Sequence, residues 1–369
     1  MMSLVRFLVA LGFLTGCQTT PEVTFDLEAP IPENFSEMGF FQWENGEMKY
    51  GKRVVPYALN VPLFSDFALK TRAMYVPDEG LATMDGNEVL AFPVGSVLLK
   101  TFSFAPDLRN PELDLRLVET RVLVHYPGGW KVFPYIWNEE MTEAVLYVEG
   151  MVKSIEFIDE EGAPKVSTYL IPQRNQCFEC HEMKDEEGER YLTPIGPRPR
   201  YLNRGIQWKG KEVNQLELLV SEGLLAETGS VESLETAVEI EEVFAQGIEA
   251  LGESTIAQAA RDYLDINCAH CHRPNGISGI TSQLFLNVEN TDAFHLGVCK
   301  RPGSAGEGTG GYAFDIVPGD AESSILHFRM RTEEVGAMMP LIGRSLVHQE
   351  AADLVGAWIN QMSPDTCEE

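Results

Sequence analysis

The chain has 369 residues, 44% of them hydrophobic and 9% aromatic. That is enough apolar material for two or three domains of roughly 100–200 residues each, and it excludes a disordered chain. The net charge of −28 argues against nucleic acid as a partner, because binding phosphates takes clustered Lys and Arg. It equally disfavours a peripheral grip on anionic lipid. The acidity reads as a solubilising surface or as a docking field for a basic protein.

In chain order, Arg6 is the only charge before a short apolar run at 7–14, which ends in Leu14-Thr15-Gly16-Cys17. The run is too short to span a bilayer, which takes about 20 apolar residues. It reads as an export signal over residues 1–16. The four-residue ending resembles the lipobox of bacterial lipoproteins, in which the cysteine is lipidated and becomes the mature N-terminus. A plain signal peptide and a short buried segment are the competing readings. Gln18 follows the cysteine, so nothing asks for retention at the inner membrane.

Residues 17–172 are β-rich. Strands are expected near 94–104, 117–126, 130–137, 144–148, 154–158 and 166–171, with turn residues such as Pro127-Gly128-Gly129 between them. Val118, Thr120, Val122 and Val124 alternate onto one face. Helical periodicity is scarce here, which predicts an antiparallel β-sandwich-like domain. It holds no catalytic constellation. His125, Trp130, Tyr135 and Trp137 read as sheet residues, with a role facing a prosthetic group as the sharper alternative.

The character changes at Pro172. Four of the seven cysteines form two pairs with one syntax, Cys177-Phe-Glu-Cys180-His181 and Cys268-Ala-His-Cys271-His272. C-x-x-C-H is the attachment signature of c-type haem. The spacing sets two sulfurs against the two vinyl groups of one porphyrin edge and the histidine beneath the iron. Zinc is the main rival. It leaves the histidine after each pair unexplained, and 87 residues separate Cys180 from Cys268, too many for a compact ribbon. A thioredoxin-like site needs a βαβ context, which is lacking, and a disulfide framework suits shorter chains. The two motifs therefore imply two covalently bound haems c, with His181 and His272 as iron ligands. Cys299 and Cys367 remain, and spare cysteines in an oxidising compartment usually pair, so a disulfide is expected between them.

Residues 173–253 form the first haem segment with an acidic connector. Between Lys211 and Arg261 there is no basic residue and no histidine, but ten glutamates beyond Glu212. A short helix is expected at 214–220. Residues 254–369 form the second haem segment, with helices starting near Ser254, over 323–330, and through Ala351, Leu354, Val355, Trp358, Ile359 and Met362 at i, i+3, i+4 spacing. The order of helix, C-x-x-C-H, late Met-Pro and final helix resembles class I cytochromes c. On that comparison Met339, directly before Pro340, is the expected second ligand of the second iron, with Met338 the alternative. For the first iron the distal candidates are His125, Met141, Met151, His295, His327 and His348, or an open position. The fold class expected overall is α+β: a sandwich-like domain followed by α-helical c-type cytochrome lobes.

Six stretches carry a wider likeness: LNVPLFSDFALKTR (59–72), ETRVLVHYPGGWKVFPYIWN (119–138), PIGPRPRYLN (194–203), NCAHCHRPNG (267–276), DIVPGDAESSIL (315–326) and MMPLIGRSLVH (338–348). On these the chain resembles a family of bacterial diheme c-type cytochromes of uncertain role, often encoded beside a parallel β-helix-repeat protein. The resemblance covers nearly all of the mature chain. It implies an electron carrier of the cell envelope, with that β-helix protein as a candidate partner besides a redox partner. A peroxidase-like diheme enzyme with an open first haem is the alternative. A third reading makes the β-rich domain a binding module served by the haems.

Overall fold

The computed structural model describes residues 20–277, 282–303, 305–364 and 367. The export signal and Cys17 lie outside them. After a two-stranded ribbon, β1 (Phe41–Glu44) and β2 (Glu47–Tyr50), the chain builds a six-stranded antiparallel meander. Its strands are β3 (Val54–Tyr57), β4 (Leu69–Tyr75), β5 (Val97–Phe104), β6 (Arg116–Tyr126), β7 (Gly129–Trp137) and β8 (Ala144–Leu146), hydrogen-bonded in that order. Period-2 alternation decides its faces. Val97, Leu99, Val122, Val124, Phe133 and Tyr135 point to one side, where Phe35, Met38, Phe40 and Phe41 of the N-terminal segment cover them. Leu98, Leu123 and Val132 point to the other. The β6–β7 hairpin closes at Tyr126↔Gly129, where Gly129 supplies a φ of +99° that a side chain would resist.

Among the described residues no extended second sheet faces this one, and the other sheets are two-stranded ribbons, so the expected sandwich is corrected. β9 (Met151–Ile158) and β10 (Pro164–Ile171) pair only with each other. Tyr169 and Ile171 pack this ribbon beside Phe102, Phe104 and Val118 of the sheet. The aromatic N-terminal segment takes the place a second sheet would fill.

The expected α-helical cytochrome lobes are likewise not found. Beyond residue 172 the chain forms two small ribbons, β11 (Glu182–Lys184) with β12 (Arg190–Leu192) and β13 (Gly205–Trp208) with β14 (Lys211–Asn214). The helices between and after them are mostly one or two turns: α1 (Phe178–His181), α2 (Pro199–Leu202), α3 (Gln215–Ser221), α4 (Ile240–Gln246), α6 (Ala293–Leu296) and α7 (Ile325–Arg331). Among the described residues only α5 (Glu253–Asn267) and α8 (Gln349–Asn360) are longer, at 15 and 12 residues. The reason is local. Pro194, Pro197 and Pro199, and later the glycines at 303–311, interrupt helix, and sustained 3.6-residue periodicity occurs only in those two segments. No helix among the described residues is long and apolar enough to cross a membrane.

A single apolar core runs from the second face of the sheet through α3 and α5 to α8, joining Leu98 and Leu123 to Leu216, Leu264 and Leu354. Polar clamps fix the same junction. Asp66 accepts hydrogen bonds from the backbone N–H groups of Ser345 (2.6 Å) and Leu346 (2.9 Å) and from the hydroxyls of Ser345 and Ser167 (both 2.7 Å). Phe64 N–H donates to Asn267 at the end of α5 (2.7 Å). Arg198 and Arg200 enter ion pairs with Asp265 and Asp262 of α5. Cys299 and Cys367 are joined by a disulfide, as the spare-cysteine argument expects.

Candidate functional site: two Cys-x-x-Cys-His motifs on two cavities

The first motif grows from a single helical turn. Gln173 and Gln176 form a reciprocal capping box at the start of a 3₁₀ turn over Arg174–Cys177, and α1 continues it to His181. This run holds Cys177 and Cys180 on one side and delivers His181 at its end. The His181 Nδ1 lies 2.8 Å from the Thr193 carbonyl, so it is placed to donate there. That leaves Nε2 as the free lone pair and fixes the ring's orientation, the usual arrangement of a metal-ligating imidazole. Burial pushes the His181 pKa down to about 4, so the ring is neutral near pH 7, the form that ligates.

The second motif follows α5 directly. Its helix ends at Asn267, and the Cys271 and His272 backbone N–H groups bond back to the Cys268 carbonyl (3.1 and 2.9 Å). The His272 ring is also neutral, its pKa pushed down to about 4 by burial. The Leu284 carbonyl raises that pKa, yet Nδ1 of His272 closes no hydrogen bond of ordinary geometry.

Each motif opens on its own cavity. Cys268, Cys271 and His272 line one with Leu284, Leu326 and Met339, and it encloses about 1180 Å³ of atom-free space, part of it open to solvent. Cys177, Cys180 and His181 line the other against the second face of the sheet, with about 1270 Å³. Both are walled mainly by apolar side chains and open partly to solvent. They share Cys180, His270, Pro340 and Ile342 as wall residues. The motifs themselves touch, with Cys271 Sγ 3.4 Å from the Glu179 carbonyl.

The chemistry of the donors discriminates between occupants. All four motif cysteines are free thiols. Burial pushes Cys177 up, Cys180 up to about 11 and Cys268 up to about 12. A redox-active dithiol needs the opposite shift. Among the described residues no group of three His, Cys, Asp or Glu converges as a zinc site requires. What remains is a pair of free thiols and a neutral motif imidazole on each cavity, with His270 on the wall between them, and that set fits a thioether-linked haem.

Met339 lies on the wall of the second cavity and Met338 does not. The Met339 backbone is held on both sides. Its N–H donates to the Arg329 carbonyl and its own carbonyl accepts from Arg344 Nε, both at 2.9 Å. Met330 lines the same cavity from α7.

None of the six distal candidates lines the first cavity. Met141 and Met151 pack in apolar clusters of the sheet. His125 stacks on Trp130 and His295 on Phe285, and His327 faces the Ala321 carbonyl. His348 stacks on Phe64 with ring centroids 4.3 Å apart and shares a 3.0 Å hydrogen bond with Tyr263. Burial, helped by Lys70, lowers its pKa to about 3. The non-motif imidazole that does line the first cavity is His270, between the cysteines of the second motif. Sequence reading passes over it because the motif treats that position as a spacer.

His348 carries a prediction. Its folded pKa lies below the unfolded value of about 6.5. The unfolded chain therefore binds a proton that the native state refuses, and stability falls as pH drops from about 6.5 towards 3. His348→Gln is expected to make that acid limb shallower. Urea midpoints at pH 7 and pH 4.5 check it; an unchanged difference between the two pH values refutes it.

Comparisons with protein-family models, with curated proteins and with solved structures return no match for this chain.

Proposed function

We propose that this chain is an exported, lipid-anchored diheme c-type cytochrome that carries electrons at the bacterial cell envelope. The observation that supports this most is the contact of two C-x-x-C-H motifs, each facing its own cavity and both sharing one wall. Bound there, a c-type haem supplies a one-electron iron couple. Cys177 and Cys180 would tether one haem and Cys268 and Cys271 the other, His181 and His272 would ligate the irons as neutral imidazoles, and Met339 would offer a thioether from the second cavity's wall. The mainly apolar walls would limit water around a haem bound there, which lowers solvent reorganisation on electron transfer. Cys17 is the proposed lipid attachment point. A redox protein is the proposed partner, with a parallel β-helix-repeat protein the candidate from the resemblance.

The test is the count of covalent haems. Pyridine haemochrome assay of the purified chain is expected to give two per polypeptide, retained through denaturation and acid acetone. Cys177→Ala/Cys180→Ala and Cys268→Ala/Cys271→Ala should each leave one. Haem that is extracted by acid acetone, or a wild-type count of one, refutes the reading.

A further inference from the structure

The first cavity contains an electrostatic arrangement that the motif does not call for. Arg72, Lys100 and Arg121 all line it. They sit on β4, β5 and β6 and are direct cross-strand partners, Arg72↔Lys100 and Lys100↔Arg121. Directly opposed side chains have Cβ atoms about 4.5–5.5 Å apart, and like charges so placed destabilise a sheet. The row is flanked by Tyr57 opposite Arg72 and Pro134 opposite Arg121, neither of which carries a negative charge to offset it. In a chain with twice as many acidic as basic residues, 56 to 28, no Asp or Glu is among the residues lining this cavity.

Only one of the three cations is neutralised. Arg121 makes a forked ion pair with Glu119, at 2.6 and 3.0 Å, and Glu119 also accepts from the Tyr169 hydroxyl (2.6 Å). Arg72 is 7% exposed, its Nη2 has no hydrogen-bond partner, and its Nη1 reaches only the Lys70 carbonyl at 3.5 Å. Lys100 lies over the Phe102 ring at 4.7 Å, and no carboxylate among the described residues lies within ion-pair distance of it. Arg72 is a buried charge without a carboxylate partner, which is costly, and Lys100 beside it is half-buried and keeps its proton only with a negative partner.

We propose that the Arg72–Lys100–Arg121 row is the anion-binding floor of the first cavity, and that Arg72 and Lys100 pair with the two propionate carboxylates of the haem held there. This rests on the reading of the first motif as a haem site. A haem is tethered through its vinyl edge by the cysteines and carries its two carboxylates on the opposite edge. The charges balance, two propionates against the two unpaired cations. The three strands fix the cations in register, so the carboxylate groups meet a preorganised surface. Arg72 offers the planar fork that suits a carboxylate, and Lys100 offers a point charge. They act here as positioning residues, setting the ring's tilt and holding positive charge beside the iron.

The experiment uses the full-length holoprotein and the variants Arg72→Met, Lys100→Met and Lys100→Arg, with the exposed Lys211→Met as a charge-matched control. Three readings are taken: covalent haem count, the propionate bending bands in resonance Raman spectra, and the two midpoint potentials. A retained count of two, shifted propionate bands and a lowered potential for one centre are expected in Arg72→Met and Lys100→Met. The potential falls because removing a nearby positive charge favours the ferric state. Lys100→Arg should restore most of the wild-type potential, and Lys211→Met should leave both potentials unchanged. Two haems with unmoved bands and potentials overturn the assignment while leaving the diheme reading intact. A wild-type protein without covalent haem at the first motif overturns both. The bands are also read on the unaltered protein, so solvated propionates there overturn the assignment even if a variant fails to fold.

Discussion

Met339→His will lower the midpoint potential of one of the two proposed haem centres and abolish the weak near-infrared sulfur-to-iron band, while Met338→Leu leaves both nearly unchanged. A thioether favours ferrous iron relative to imidazole, so exchanging it for histidine moves the couple down. The geometry separates the two neighbours. Met339 lines the cavity that holds Cys268, Cys271 and His272, and Met338 does not. Two backbone hydrogen bonds, to Arg329 O and from Arg344 Nε, hold the Met339 peptide on either side. Arg344 in turn donates to the carbonyls of Leu346 and Thr332, so the turn is braced rather than free. Spectroscopic titration of the two variants decides the matter. Loss of the band in Met338→Leu alone would move the ligand by one residue, and survival of the band in both would remove Met339 from the site.

Arg200→Met will destabilise the protein by about 3–5 kcal/mol, the usual cost of leaving one member of a buried ion pair uncompensated. That is a large share of a typical folding stability of about 5–15 kcal/mol. The Arg200 and Asp262 side chains are 6% and 0% exposed. Without the guanidinium, Asp262 keeps only the Val238 N–H at 3.0 Å. Burial already raises the Asp262 pKa to about 6, with Arg200 pulling against it. Removing Arg200 lifts it further. A carboxyl whose folded pKa exceeds its unfolded value of about 3.9 loses stability as pH rises through the folded pKa. The variant's deficit should therefore be smaller at pH 5 than at pH 8, and Arg200→Met/Asp262→Leu should recover much of it. Urea unfolding at the two pH values tests both statements; equal deficits would show that Asp262 is not the group left stranded.

The parts of the molecule legible in the sequence are those encoded locally. The motif cysteines, the strands flanking Pro127-Gly128-Gly129 and the periodic segments now seen as α5 and α8 each declare themselves within a short window. The Cys299–Cys367 bond followed from counting. The order of motif, Met-Pro and last helix resembles class I cytochromes and so suggests helical lobes, while the prolines and glycines between them favour ribbons and single turns. His270 was hidden inside a spacer. The cation row was invisible for a different reason. Arg72, Lys100 and Arg121 are far apart along the chain and become neighbours only through the register of three strands, which no single window contains.

The Asp66 clamp has a consequence for how the molecule is made. Its backbone partners Ser345 and Leu346 lie 279 and 280 positions further along the chain. At about 5–20 residues per second of synthesis, that is roughly 14–56 s before the partners exist. During this interval the early strands can pair and Asp66 can meet the Ser167 hydroxyl, but the two backbone donors of its clamp are still missing. The segment after Met339 is therefore pinned only once the early part of the chain is present. Expressed from residue 254 onward, the C-terminal third would lack the carboxylate that pins the segment after Met339.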